Sequence, residues 1–328
     1  MQIDTVYVVG ECMIELQRSI GNTAGMDYRF GGDTLNAAVY LARLLGPQRV
    51  AYVTGLGTDG MSDEMCAAWA GEGIDTDCVQ RLEAKLPGIY LIETDPAGER
   101  RFHYWRRDSA AREWLHGPTA GAVLLQLAHA RMVCVSGISL AILSPADREL
   151  LIAALVQCRA AGGTVVFDNN YRPRLWESAE VARDVYARVL RHTSIALLTL
   201  DDEVALYGER DAAAVIAAAR ALGVAEVVVK CGAAPCLVWA DGCLDEVATP
   251  AVANVVDTTA AGDSFGAAYL AARMQGSSAQ QAAAAGHRLA GAVIGQRGAI
   301  IALEAMPAMG RIDGRIDGRI DGQIDGQI

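Results

Sequence analysis

The chain has 328 residues, 52% of them hydrophobic and 20% charged, which is enough to bury one large core or two modest ones. A net charge of -11 and an isoelectric point near 5.0 repel nucleic acid and anionic membranes, so any anion must be held by a local basic cluster. There is no run of eighteen apolar residues and no basic region before the apolar stretch of MQIDTVYVVGE, so neither a membrane span nor an export signal is expected and the expected location is the cytoplasm.

The first strand signal is TVYVVG at residues 5–10. Residues 11–30 (ECMIELQRSIGNTAGMDYRF) alternate as strands do without leading straight into a helix, and 88–108 (GIYLIETDPAGERRFHYWRRD) do the same around a DPAG turn. Together they predict a small antiparallel sheet apart from the main one, serving as a lid or a dimer surface. Elsewhere nearly continuous apolar runs (RVAYVTG, RMVCVSG, GTVVFD, SIALLTL, AEVVVK) alternate with helical stretches (TLNAAVYLARLLG, SPADRELLIAALVQCRAAG, SAEVARDVYARVLR, ERDAAAVIAAARALG). That alternation predicts an α/β sandwich with a mostly parallel central sheet. From Gly310 the chain repeats RIDG and QIDG with a glycine every fourth residue. Residues 1–309 are therefore expected to be the folded domain and 310–328 a flexible low-complexity tail.

GLGTDG at residues 55–60 fits the dinucleotide fingerprint, so a dehydrogenase is one reading; a structural turn is the other, because a carboxylate at Asp59 repels a pyrophosphate. The chain has only two lysines, Lys85 and Lys230, and neither completes a phosphate-binding P-loop. The eight cysteines form no CxxC pair and read as small buried hydrophobes, and the five histidines show no catalytic spacing. His103 is expected at the surface.

DTTAAGDSF at residues 257–265 is different. Small residues before a helix leave backbone N–H groups uncovered where the helix dipole is positive, which makes an anion hole. Ala260, Ala261, Gly262 and Asp263 offer both those amides and a carboxylate able to take a hydroxyl proton, although a simple helix cap is the alternative. Five arginines (Arg100, Arg101, Arg106, Arg107, Arg112) crowd thirteen residues of an otherwise acidic chain. Strand periodicity puts Tyr104 and Arg106 on one face, able to meet a small anion; Arg100, Arg101 and Arg107 read as a solvated edge that deters aggregation.

DTTAAGDSF closely resembles the second signature of the ribokinase-like (PfkB-type) carbohydrate kinases, and FGGDTLNAAVYLARLLG at 30–46 resembles the first. The similarity runs over about residues 5–305. Within the family, FDNNYRPRLW, GIYLIE and RFHYWRRDSAA look most like members that phosphorylate 2-keto-3-deoxygluconate. The resemblance implies a three-layer α/β/α sandwich with a β-lid, ATP and Mg2+, a monovalent cation such as K+, and a homo-oligomer formed through the lid. It implies Asp263 as general base, with the 260–262 amides as anion hole. Gly31, Gly32, Asn36, Tyr90, Tyr104, Arg106 and Arg172 would lie on the sugar side, with Arg106 on its carboxylate. Asn170, Lys230, Gly232, Asp257, Thr259 and Gly262 would lie on the nucleotide side, and Glu203 would organise the metal through water. Two positions depart from the pattern: Ala260 replaces a glycine, and Leu200 replaces the asparagine that precedes Glu203 in an NxxE motif. The rival readings are a kinase for a neutral sugar such as fructose or ribose, the dehydrogenase, and a catalytically silent sugar-binding regulator.

Overall fold

A computed structural model describes residues 5–18, 25–94 and 100–308. The DPAG turn and the segment from 309 onward, with its RIDG repeats, lie outside the described residues. In chain order the elements are β1 (Val6–Val9), β2 (Met13–Arg18), β3 (Met26–Gly31), α1 (Asp33–Leu45), β4 (Val50–Val53), β5 (Gly55–Leu56), α2 (Gly60–Gly71), β6 (Gln80–Arg81), β7 (Gly88–Thr94) and β8 (Arg100–Trp105). There follow α3 (Ala120–Ala128), β9 (Met132–Ser136), α4 (Gly137–Ala141), α5 (Pro145–Ala160), β10 (Thr164–Asp168), α6 (Ala179–Leu190), β11 (Ile195–Thr199) and α7 (Leu200–Tyr207). The last are α8 (Ala212–Ala221), β12 (Glu226–Lys230), β13 (Cys236–Ala240), β14 (Cys243–Val247), α9 (Ala261–Met274) and α10 (Ala279–Ile294).

The central sheet runs β14-β13-β12-β11-β10-β9-β1-β4, parallel from β12 to β4 and closed on one side by the antiparallel β13 and β14. Its strands are apolar on both faces because both faces are covered. Alternate side chains divide the core: Val166, Leu197 and Val228 pack toward α1, α9 and α10, whereas Val165, Phe167, Ala196, Leu198, Val227 and Val229 pack toward α3, α5, α6 and α8. This is the expected α/β/α sandwich.

The second sheet runs β3-β2-β7-β8, so the lid is present. One detail of the expectation needs correcting: β2 and β7 pair in parallel, and only the β2–β3 and β7–β8 pairs are antiparallel. Between β3 and β7 the chain returns to the main body for α1, β4 and α2, then re-enters the lid from the same end, which forces the parallel register. The cysteines are all free, but only Cys12, Cys78, Cys158 and Cys236 are buried as expected; Cys66, Cys134 and Cys231 are half-buried and Cys243 is exposed.

α2, α4, α5, α6, α8 and α10 begin on Asp59, Ser136, Ser144, Ser178, Asp211 and Ser278, each of whose side chains accepts a first-turn N–H. α1 and α9 begin on Gly32 and Ala260, which have no polar side chain to offer. α3 and α7 likewise start on Thr119 and Thr199 without a side-chain cap; of these four helices α1 and α9 pack against each other.

The C-terminal end of β10 is held by a close approach at Gly137. A Cβ there would collide with the Tyr186 hydroxyl and the Asn169 carbonyl, which are hydrogen-bonded to each other. Gly137→Ala is therefore expected to destabilise the protein by about 1–3 kcal/mol, the usual scale for overpacking. A lowered denaturant midpoint at unchanged slope checks this.

Candidate active site

The uncapped start of α9 faces the C-terminal ends of the parallel strands, where open α/β sheets bind ligands. Ala260 adopts the left-handed conformation, φ 62° and ψ 14°, and its carbonyl accepts from the Ser264 N–H at 2.9 Å and the Ser264 hydroxyl at 2.7 Å. The Ala261 N–H turns back to the Thr258 carbonyl at 3.3 Å. Of the expected 260–262 amides, that of Ala261 is thus partly used; among the described residues no acceptor meets the N–H of Ala260 or Gly262, nor that of Asp263.

Asp263 stands in that first turn, and its Oδ2 accepts from Asn36 Nδ2 at 2.8 Å. Burial pushes its carboxyl up from 3.8 to about 7, with the Asp33 and Asp168 charges adding to the rise and Asn36 and Lys230 opposing it. Lys230 Nζ donates to Asp168 Oδ2 at 2.7 Å and comes within 3.4 Å of where a Gly262 Cβ would lie. The glycine thus admits an ammonium to the mouth of the hole. Asn170, at φ 24°, donates from Nδ2 to Asp33 Oδ2 at 2.6 Å. Gly232, at φ 62°, turns the chain just beyond β12.

Asn36 has a second feature that points to a ligand. Its Oδ1 is buried and has no donor among the described residues, so a hydroxyl of the substrate can satisfy it. Asp257 is fully engaged structurally: it accepts from the Thr259 N–H at 3.0 Å and the Gly298 N–H at 2.9 Å, which ties the anion-hole loop to the segment after α10.

The lid supplies a second group. Tyr90 donates to Glu15, and a Cβ on Gly31 would sit 2.5 Å from the Tyr90 hydroxyl. Gly32 lies against the Glu11 carbonyl with no room for a side chain. Arg106 lies just past β8 and is buried, where strand alternation predicted only a shared face with Tyr104; its guanidinium is 6.0 Å from the Tyr104 ring centroid. It is paired with Glu11, which also accepts from Ser109 Oγ at 2.5 Å, and its Nε has no acceptor among the described residues. Tyr104 is exposed and stacks on Phe102. Arg101 and Arg107 are exposed, and His103 pairs with Glu93 at the surface.

Two expected residues sit farther out. Arg172 bonds the Tyr171 carbonyl and Asp202. Glu203 accepts from Asn169 at 3.2 Å and Arg210 at 2.9 Å. Asn169, just past β10, therefore gives Glu203 an amide partner where Leu200 replaces the expected asparagine. Sequence reasoning missed Glu11, Glu15, Asp33, Asp168, Asn169 and Arg210. Glu11 and Asp168 follow apolar runs at strand ends, a position that could have flagged them; the others had no local signal.

The dinucleotide fingerprint is a structural turn. Gly55 and Gly57 lie against the backbone carbonyls of Ala110 and Lys85, leaving no space for a pyrophosphate, and Asp59 caps α2. The dehydrogenase reading falls with it.

The sandwich, its lid and the carboxylate at an uncapped helix define a ribokinase-like protein. The model of the pfkB family carbohydrate kinases matches residues 4–306, and the chain belongs to that family. It is 53% identical over 315 residues to a 2-dehydro-3-deoxygluconokinase of Dickeya dadantii, covering 94% of this chain and 100% of that one. It is 42% identical to the enzyme of the same name from Haemophilus influenzae, covering 90% and 95%. A fructokinase from Xylella fastidiosa solved with bound ATP superposes with a TM-score of 0.75 at 26% identity, covering 93% and 95%.

The raised carboxyl has a consequence for stability. A group whose pKa is 3.8 unfolded and about 7 folded binds its proton more tightly in the native state, so stability falls as pH rises from about 4 through 7. Asp263→Asn removes the buried charge and is expected to melt above the parent at pH 8, with the gap closing toward pH 4; thermal melts across that range check it.

Proposed function

We propose that this chain transfers the γ-phosphoryl group of ATP to the terminal hydroxyl of 2-keto-3-deoxygluconate (2-dehydro-3-deoxygluconate), giving 2-keto-3-deoxy-6-phosphogluconate. The observation that carries the reading is Asp263, held by Asn36 at the mouth of an uncapped helix beside Lys230. Two enzymes that are 53% and 42% identical over nearly the whole chain bear the name of this activity.

Asp263 takes the proton of the attacking hydroxyl, with a pKa near 7 suited to that work at neutral pH. The free amides of Gly262 and Asp263, with Ala261 beside them, and the Lys230 ammonium meet the charge that develops on the transferred group. Asn36 Oδ1, Gly31, Gly32, Tyr90 and Tyr104 orient the sugar, and Arg106 offers its unpartnered Nε to the carboxylate. Asn170, Gly232, Asp257 and Thr259 line the nucleotide side, and Arg172 belongs to the sugar side.

The site fits ATP as donor, because free amides and a lysine suit its phosphates. It fits Mg2+ carried by those phosphates, because the nearby donors are carboxylates and, among the described residues, no cluster of three or more His, Cys, Asp or Glu forms a cage. Such an ion neutralises phosphate charge when bound. Glu203 takes part through Asn169 or through water. The loop of Asp257 and Thr259 is the proposed place of a monovalent cation such as K+. The exposed lid residues Met26, Tyr28 and Trp105 are where a second copy would pack. The functional unit is residues 1–309, working in the cytoplasm; the repeat tail from 310 takes no part. No described helix is long and apolar enough to cross a membrane.

A neutral sugar such as fructose remains the second reading, favoured by one observation: Arg106 already has a carboxylate partner in Glu11. Arg106→Ala separates the two. For 2-keto-3-deoxygluconate, kcat/KM is expected to fall roughly 10-fold to 150-fold, the scale of a charge-assisted hydrogen bond, with residual fructose activity unchanged. Equal losses on both, or a parent that prefers fructose, would overturn the substrate assignment. Sugar binding without ADP release would point to a silent regulator.

A further inference from the structure

Two acids of the lid edge, Glu11 and Glu15, are buried, and each holds a residue of the sugar side: Glu11 holds Arg106, and Glu15 holds Tyr90. The second pair fixes the polarity of a hydrogen bond. A phenol has one proton to give and an oxygen that can also accept. In this structure the Tyr90 proton goes to Glu15, its direct partner across the parallel β2–β7 register. Burial, and then the charge of Glu15, hold the Tyr90 hydroxyl well above its ordinary range, so the proton stays on the phenol.

The Tyr90 hydroxyl also stands directly over Gly31, where only a hydrogen leaves room for it. Its ring packs near those of Tyr104, 5.8 Å away, and Phe102, 6.4 Å away. The oxygen therefore reaches the sugar side with its proton already committed. Toward a ligand it can only accept.

We propose that Glu15 is a positioning residue that makes Tyr90 a pure hydrogen-bond acceptor, so that the pocket selects a substrate carrying a non-reacting hydroxyl over Gly31. A carbonyl or carboxylate oxygen at that place meets a lone pair instead of a proton and is rejected. The negative end of the substrate is thereby turned away from Tyr90 and left to Arg106. The inference rests on the sugar-acid kinase reading, and its test keeps the two apart.

The test uses the full chain, ATP, 2-keto-3-deoxygluconate and its 4-deoxy and 5-deoxy analogues, with Glu15→Leu, Glu15→Gln, Tyr90→Phe and the Glu15→Leu/Tyr90→Phe double variant. In the parent, one deoxy analogue is expected to lose roughly 10-fold in kcat/KM, the scale of a neutral hydrogen bond. Glu15→Leu, which frees the phenol proton, should shrink that loss to less than about 3-fold. Glu15→Gln retains an acceptor and should restore it. On the Tyr90→Phe background Glu15→Leu should change nothing further, which a merely structural role could not produce. If Glu15→Leu costs as much on the Tyr90→Phe background as it does in the parent, Glu15 supports the lid and the proposal fails. Equal use of all three sugars by an active parent also overturns it, while leaving the kinase reading intact; a parent inactive on every sugar acid brings down both.

Discussion

The start of α9 is the constraint on which the rest of the molecule depends. Six other helices begin on a Ser or Asp side chain that closes the first turn, whereas α9 starts on an alanine in the left-handed conformation, which costs an L-residue about 1–2 kcal/mol. That conformation turns the DTTAA loop so that the Gly262 and Asp263 amides face outward unpaired. Packing against α1 and α10, and the anchoring of Asp257 on Gly298, hold it there. A helix end left this way has a partial positive charge and backbone N–H groups that no side-chain cap closes.

Around that end the charges are arranged in opposition. Asn36 steadies Asp263 as an anion while Asp33 and Asp168 resist it, and Lys230 is shared between Asp168 and the hole. The carboxyl is consequently neither a firmly ionised cap nor a permanently protonated acid. The lid repeats the device on the sugar side, where buried Glu11 and Glu15 each hold one residue that would meet the substrate. In the lid those carboxylates are buried, whereas Asp33 and Asp168 beside α9 are only partly so.

Much of this could be read from the residues. The alternation of apolar strands with alanine-rich helices specified the sandwich, because both faces of a parallel sheet must be covered. DTTAAGDSF pointed to the uncapped start of α9, because helix capping is a local property. Glu15, Asp33 and Arg210 stayed hidden because their meaning comes from partners 75, 137 and 7 residues away that only the fold brings near. The parallel β2–β7 register was likewise unreadable, since it follows from the path of the chain and not from either strand. Arg106 reads from the sequence as a strand residue; its burial and its pairing with Glu11 depend on a turn past β8.

The account stands or falls on the protonation of Asp263. The most direct measurement is kcat/KM against pH with both substrates far below saturation, where the groups of the free enzyme govern the rate. The account expects a plateau above an acid limb centred near pH 7, matching a carboxyl pushed up to about 7, with tenfold loss per pH unit below it and no such limb in the residual activity of Asp263→Asn. An acid limb near pH 4, in the range of an ordinary aspartate, or one that survives Asp263→Asn, would contradict it.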